Sequence, residues 1–173
     1  TFDTPEVPYT KGGAKPRPKV YCGGRLLMEG TDYKLSYKNN KAIAFASDKK
    51  APMVIVTGKG SYKGKCSAAF AIVKQNIGNL TLTAKDKRCT DKAGKFTTSF
   101  VITDTDGKKL SAGKDYDKNS VQYTYAETGK PVGKTDIVPE GTTLRITVNA
   151  AQTGSYTGSI SGEYRITAYD IAK

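Results

Sequence analysis

Three cysteines, sixteen carboxylates and no histidine define the chemistry open to this chain of 173 residues. Without an imidazole there is no Ser-His or Cys-His relay and no histidine metal ligand. Cys22, Cys66 and Cys89 stand far apart with no Cys-x-x-Cys spacing, so they make no zinc site. Asp104-Thr-Asp-Gly107 has the opening of a calcium loop but lacks a third acidic ligand and the closing glutamate, and it reads as a hairpin turn. Asp115 and Asp117 lie two apart, which would put both on one face of a strand, yet such a pair is commonplace and no pocket-forming sequence surrounds it. The expectation is a chain with no catalytic residues, no cofactor and no metal.

The residues that remain informative are repeated ones. Gly60-Ser-Tyr-Lys-Gly64 is followed by Phe70 and Ile72, and Gly154-Ser-Tyr-Thr-Gly158 is followed at the same spacing by Tyr164 and Ile166. Upstream, Leu27 leads to Gly30-Thr-Asp-Tyr33, and Leu110 leads to Gly113-Lys-Asp-Tyr116. This spacing predicts two modules in tandem, residues 1–76 and 77–173, joined by a short link near residues 75–79. In each Gly-x-Asp-Tyr the glycine permits a positive φ, Asp32 or Asp115 accepts hydrogen bonds from turn amides, and Tyr33 or Tyr116 opens a strand with a ring for the core. Tyr62 and Tyr156, each between small glycines, are expected at equivalent buried corners with the hydroxyl bonded to a backbone group.

The elements that must position these motifs are strands. Tyr33, Leu35 and Tyr37 alternate with polar residues, as do Phe96, Thr98, Phe100 and Ile102, then Val121, Tyr123 and Tyr125, then Leu144, Ile146 and Val148. Turn residues separate the runs at Cys22-Gly-Gly24, Asn39-Asn40, Asp104-Thr-Asp-Gly107 and Pro139-Glu-Gly141. No sustained helical period appears, so the predicted fold class is all-β, two tandem immunoglobulin-like β-sandwich modules. Module two has an 11-residue excess, because Asp32 to Tyr62 is 30 residues and Asp115 to Tyr156 is 41. The excess falls around residues 127–142 and is read as an extra hairpin or edge strand, with a binding loop as the alternative.

The net charge of +12 is unevenly shared. Residues 1–76 hold 14 Lys and Arg against 5 Asp and Glu, giving +9; residues 77–173 hold 14 against 11, giving +3. A scattered, solvated lysine surface is the plainer reading, and a surface for anionic partners such as teichoic acid or acidic glycans is the other. Lys outnumbers Arg 23 to 5, which argues against specific nucleic-acid binding, where planar bidentate donors are favoured. No window of the sequence approaches a membrane span. The chain opens on Thr1 without a leader pattern, and it is expected to be a mature or excised piece of a longer protein. Cys66 shares parity with Phe70 and Ile72 and aligns with Ile160, so it reads as a core residue. Two readings stay open for Cys22 and Cys66, an inter-sheet bridge in an exported protein or buried free thiols.

At these residues the chain resembles the bacterial immunoglobulin-like repeats of large secreted or wall-attached proteins of Gram-positive anaerobes. The resemblance runs through Pro8-Tyr-Thr-Lys11, Pro18-Lys-Val20, Leu27 to Tyr33, Ser36-Tyr-Lys-Asn-Asn40, Thr57-Gly-Lys-Gly-Ser-Tyr-Lys-Gly64 and Phe70-Ala-Ile72. Module two is similar to the longer variant of the repeat, with Gly113-Lys-Asp-Tyr-Asp117, Tyr123-Thr-Tyr-Ala126, Asp136-Ile-Val-Pro-Glu-Gly141 and Tyr156-Thr-Gly158. One departure is Cys89-Thr90 where module one has Tyr9-Thr10, which raises a different packing for the first strand of module two. The resemblance implies a secreted or cell-surface location and a non-catalytic stalk, spacer or adhesion module. Its partners would be neighbouring domains of the same polypeptide or an unknown protein or glycan at the cell surface. Two other classes compete. A carbohydrate-binding sandwich would need aromatic platforms, and with no tryptophan it would rest on Tyr21, Tyr37, Tyr123 or Tyr125. An accessory segment of a secreted multidomain enzyme, such as a glycoside hydrolase or protease, would hold its catalytic residues elsewhere.

Overall fold

The computed structural model describes residues 6–168, and these divide into two compact units, one up to Gln75 and one from Asn76. The first unit holds β1 (Glu6–Pro8), β2 (Tyr21–Cys22), β3 (Arg25–Leu26), β4 (Tyr33–Lys38), β5 (Met53–Gly58), β6 (Lys65–Ala69) and β7 (Ala71–Val73). At the junction lies β8 (Gln75–Asn76), followed by a 3-10 turn over Ile77–Asn79. The second unit continues with β9 (Thr81–Ala84), β10 (Lys87–Arg88), β11 (Phe100–Thr103), β12 (Gln122–Tyr125), β13 (Thr143–Asn149), β14 (Tyr156–Thr157) and β15 (Ser159–Thr167). Among the described residues there is no α-helix, and several open sheets carry the fold, as the alternating sequence predicts.

In the first unit β4, β5 and β6 form an antiparallel sheet in which Leu35, Val56 and Cys66 are cross-strand neighbours, as are Tyr37, Val54 and Ala68. Strand β1 runs parallel to β7, Val7 beside Ile72. Between the layers Val54, Phe70, Ile72 and Ala14 are buried, with Val7, Tyr9, Leu35 and Tyr37 packed around them. In the second unit the sheet order is β10-β15-β13-β12, and β9 pairs with β11 in a separate ribbon. Leu144, Ile146 and Val148 of β13 are fully buried while Thr143, Arg145 and Thr147 alternate outward, each apolar side chain contributing about 1.5–3 kcal/mol of burial. The ribbon meets the sheet where Leu82 lies over Gly162, so closely that a Cβ at Gly162 would come within 2.5 Å of Leu82 Cδ2.

The repeated motifs make the same hydrogen bonds in both units. Asp32 accepts from the Met28 amide at 2.9 Å, and Asp115 from the Ser111 amide at 2.7 Å. The amide of Gly30 donates to the Tyr33 carbonyl at 2.7 Å, and that of Gly113 to Tyr116 at 2.7 Å, both glycines at positive φ. Further on, the amide of Lys59 donates to the Asp32 carbonyl (2.8 Å) and that of Ala151 to the Asp115 carbonyl (3.2 Å); Gly58 donates to Gly64 (3.0 Å) and Ala150 to Gly158 (2.9 Å). The strands paired in parallel agree too, since the amide of Tyr9, just past β1, donates to Val73 and that of Cys89, just past β10, to Thr167, both at 2.8 Å. The Cys89-Thr90 departure therefore leaves the pairing of β10 unchanged.

Other expectations are corrected. The alternation from Phe96 to Ile102 yields a ladder only at Phe100–Thr103, because Phe96 turns into the core and its carbonyl accepts the hydroxyl of Tyr164. In the 127–142 excess, a tight turn after β12 returns the chain so that Lys130 and Val132 bond Tyr125 and Tyr123, but Asp136-Ile-Val138 joins no sheet. Pro131 and Pro139 lack amide donors there. Cys66 is exposed rather than in the core: β6 is the edge of its sheet, and Lys65, Cys66, Ser67 and Ala68 are all exposed along it. Cys22 and Cys66 are both exposed free thiols, neither bridged nor buried. Tyr156 is buried at its corner, whereas Tyr62 is only half-buried, and the Tyr156 hydroxyl donates to the Asp104 carboxylate at 3.2 Å instead of to a backbone group. Tyr33 is buried as expected, while Tyr116 is half-buried and makes isolated bridges to Ala112 and Ala150 instead of opening a regular strand.

Candidate functional site

Carboxylates are the groups best able to do chemistry here, and the structure assigns many of them to turns. Besides the Asp32 and Asp115 caps, Asp117 accepts from the Asn119 amide at 2.8 Å and caps a 3-10 turn. Asp104 accepts from the amide of Thr105 at 2.6 Å and from Tyr156, and Gly107 at φ +73 closes its turn through the Asp104 carbonyl at 2.8 Å. The calcium-like Asp104-Thr-Asp-Gly107 is thus a turn, and among the described residues no group of three or more His, Cys, Asp or Glu could hold a metal ion. Asp115 and Asp117 are separated in role, each committed to a different amide.

Recesses supply the remaining candidates. One of them, about 770 Å³, lies in the second unit between residues 93–97, the start of β12 and residues 131–134. Its walls are two loops pinned together. Gly94, at φ +68, donates to the Asp136 carbonyl at 2.9 Å, and a Cβ there would sit 2.5 Å from the Lys134 carbonyl, so only glycine allows the approach. The Asp136 carboxylate accepts from the Gly133 amide (2.8 Å) and the Tyr125 hydroxyl (3.2 Å), fixing the second loop. The aromatic wall is a ladder in which Phe96 meets Tyr123 edge-on at 5.5 Å and Tyr123 meets Tyr164 at 6.3 Å. Burial raises the Tyr123 pKa, with a smaller opposing effect of its backbone hydrogen bond to Thr98, and burial also raises that of Tyr164. Lys95 and Lys134 flank this wall. Such a recess can hold an apolar or hydroxylated ligand with an anionic group, and its lining contains no carboxylate or thiol to act as nucleophile.

The four tyrosines singled out in the sequence are not brought into one platform. Tyr21 is 52% exposed on the β2–β3 hairpin and lines a groove with Cys22, Tyr62 and Cys66. Tyr37 packs on the first core and donates its hydroxyl to the Pro16 carbonyl at 2.9 Å, so its role is structural. Tyr123 lines the large recess, and Tyr125 a separate depression with Glu127 and Glu140. Hydrogen bonding to Asp136 and that carboxylate's charge add to the burial that raises the Tyr125 pKa. The sequence reading missed Gly94, Lys95, Lys134 and Asp136. Their only signal is a glycine and two lysines in stretches without periodicity, and their meeting is set by loop geometry. Compared with known proteins, the chain matches no family model, no curated protein and no solved structure.

Proposed function

We propose that the chain is a pair of immunoglobulin-like β-sandwich units serving as a non-catalytic stalk, spacer or adhesion segment of a larger bacterial secreted or cell-surface protein. The observation that carries the reading is the recurrence in both units of one hydrogen-bonded set: the aspartate cap, the glycine-to-tyrosine turn bond and the bond from Lys59 or Ala151 back to that aspartate. A duplicated fold whose best acidic groups are spent on turns adds length and contact surface. Neighbouring domains of the same polypeptide and a protein or glycan at the cell surface are its partners in this reading. The test is to incubate the purified chain with polysaccharide, peptide and ester substrates. Turnover no greater than that of a denatured control is expected, and turnover above it would overturn the reading.

The second reading, a carbohydrate-binding module, is favoured by the recess bounded by Phe96 and Tyr123. Glycan-array binding that is lost in Tyr123→Ala but kept in Tyr21→Ala would support it. A blank array would leave the stalk reading alone. The chain as accessory segment of a secreted enzyme fits the same structure, with catalysis supplied by another domain.

A further inference from the structure

We propose that the groove of the first unit between β2, Tyr62 and residues 64–66 is a socket for the link segment of another unit of this type, a short turn that inserts one isoleucine and presents a carboxylate to the groove's lysines. The second unit carries the template. There the link lies directly on the start of β15: a Cβ at Gly158 would stand 2.7 Å from Asn76 Oδ1, and a Cβ at Gly78 would stand 2.9 Å from the Ser159 carbonyl. Asn76 shapes this turn by accepting from the Gly78 amide at 2.9 Å, and Ile77 is 0% exposed. Ile160, next on the strand, is buried.

Among the described residues the first unit has the same backbone without the cover. Gly64 and Gly158 both have positive φ, both accept from the end of the preceding strand, and Val56 faces Cys66 as Val148 faces Ile160. Yet a Cβ at Gly64 would meet nothing within 4 Å, and Lys65 and Cys66 are exposed. The half-exposure of Tyr62, against the burial of Tyr156, belongs to the same uncovered site. What lies there is a groove of about 300 Å³ with Val20, Tyr21, Leu27 and Val56 among its walls, the low end of sizes that hold a ligand and enough for one aliphatic side chain on a turn.

Charge then narrows the occupant. Where the second unit has Thr157 and Ser159, the first has Lys63 and Lys65, and both line the groove. A link with a carboxylate at the position of Asn76 complements them, and the excess of 14 basic over 5 acidic residues in this half adds long-range attraction. The stalk reading supplies the source of the link, a further repeat. The socket itself is read separately, so a socket that stays open would sink this inference and leave that reading standing.

The experiment repeats residues 74–80 ahead of Thr1. Tyr9 and Cys89 make equivalent bonds 80 positions apart, so the added isoleucine stands to the first unit as Ile77 stands to the second. With Cys22→Ser and Cys89→Ser, Cys66 is the remaining thiol, and its alkylation by iodoacetamide reports on the groove. The tethered segment has a high effective concentration, and Cys66 is expected to react about tenfold more slowly than in the unextended chain. Isoleucine→Asp in the added segment should restore the faster rate. Asparagine→Asp at the first asparagine of the added segment, the counterpart of Asn76, should slow the reaction further in low salt only. An unchanged rate in the extended chain, or equal protection by the isoleucine→Asp version, would overturn the proposal.

Discussion

Tyr156→Ala should destabilise the second unit far more than Tyr62→Ala destabilises the first, although the two tyrosines occupy the same place in the repeated motif. Tyr156 is 1% exposed, and truncating a buried aromatic ring costs about 3–5 kcal/mol through lost transfer energy and the cavity left behind. Its hydroxyl also donates at 3.2 Å to Asp104, a carboxylate 4% exposed. Tyr156→Phe isolates that bond and should cost roughly 1.5–3 kcal/mol, the range for hydrogen bonds to charged groups. Tyr62 is half-buried beside an open groove, so Tyr62→Ala should cost roughly 1–2 kcal/mol, in line with its smaller buried area. Urea unfolding followed by resolved NMR signals from each unit measures the two losses separately. Equal costs for the two alanine variants, or a loss below about 1 kcal/mol for Tyr156→Ala, would refute the assignment of Tyr156 to a packed corner and Tyr62 to a groove wall.

Alkaline stability should be limited by Tyr164, whose pKa burial raises above 10.0, with the neighbouring Tyr123 adding to the shift. Both states hold the phenol proton below pH 10, so that stability is fully present there; above it the unfolded chain ionises first and stability falls until the folded pKa is passed. A Tyr164→Phe variant should show a flatter alkaline limb in thermal melts from neutral pH to about pH 11, and an unaltered limb would contradict this. Gly94→Ala should cost about 1–3 kcal/mol, since the residue sits at φ +68 with its Cβ aimed at the Lys134 carbonyl; an unchanged urea midpoint would contradict the pinned loops. Asp115→Asn keeps the shape of the cap but weakens its bond to the Ser111 amide, with an expected loss of about 1 kcal/mol in the second unit, and Asp115→Ala should lose more. Heparin should bind only weakly and lose its hold between low and physiological salt, as counterion release from scattered lysines dictates; tight binding at physiological salt, measured by titration calorimetry, would point to a dedicated anion site.

Where local chemistry decides the outcome, the sequence was a sufficient guide. Gly30, Gly113, Asp32 and Asp115 need only their own turn to be satisfied, and the spacing of Gly-x-Asp-Tyr anticipates their bonds. The alternation of Leu144, Ile146 and Val148 likewise reports the buried face of β13. What depended on neighbours distant in the chain was less legible. Parity made Cys66 a core residue, but parity gives the face of a strand and not whether anything covers that face, and at β6 the covering segment found in the second unit is absent from the described residues. Tyr62 and Tyr156 diverge for the same reason. The large recess was invisible because Gly94 and Asp136 meet through loops with no periodicity, 42 positions apart.

Stretching single molecules of the chain between two handles tests the central claim most directly, because two self-standing units in series must open one at a time. The units up to Gln75 and from Asn76 should give two separate force peaks, releasing at most about 270 Å and about 350 Å of chain at about 3.6 Å per residue. One peak releasing the whole length, or extension without resistance, would contradict the account.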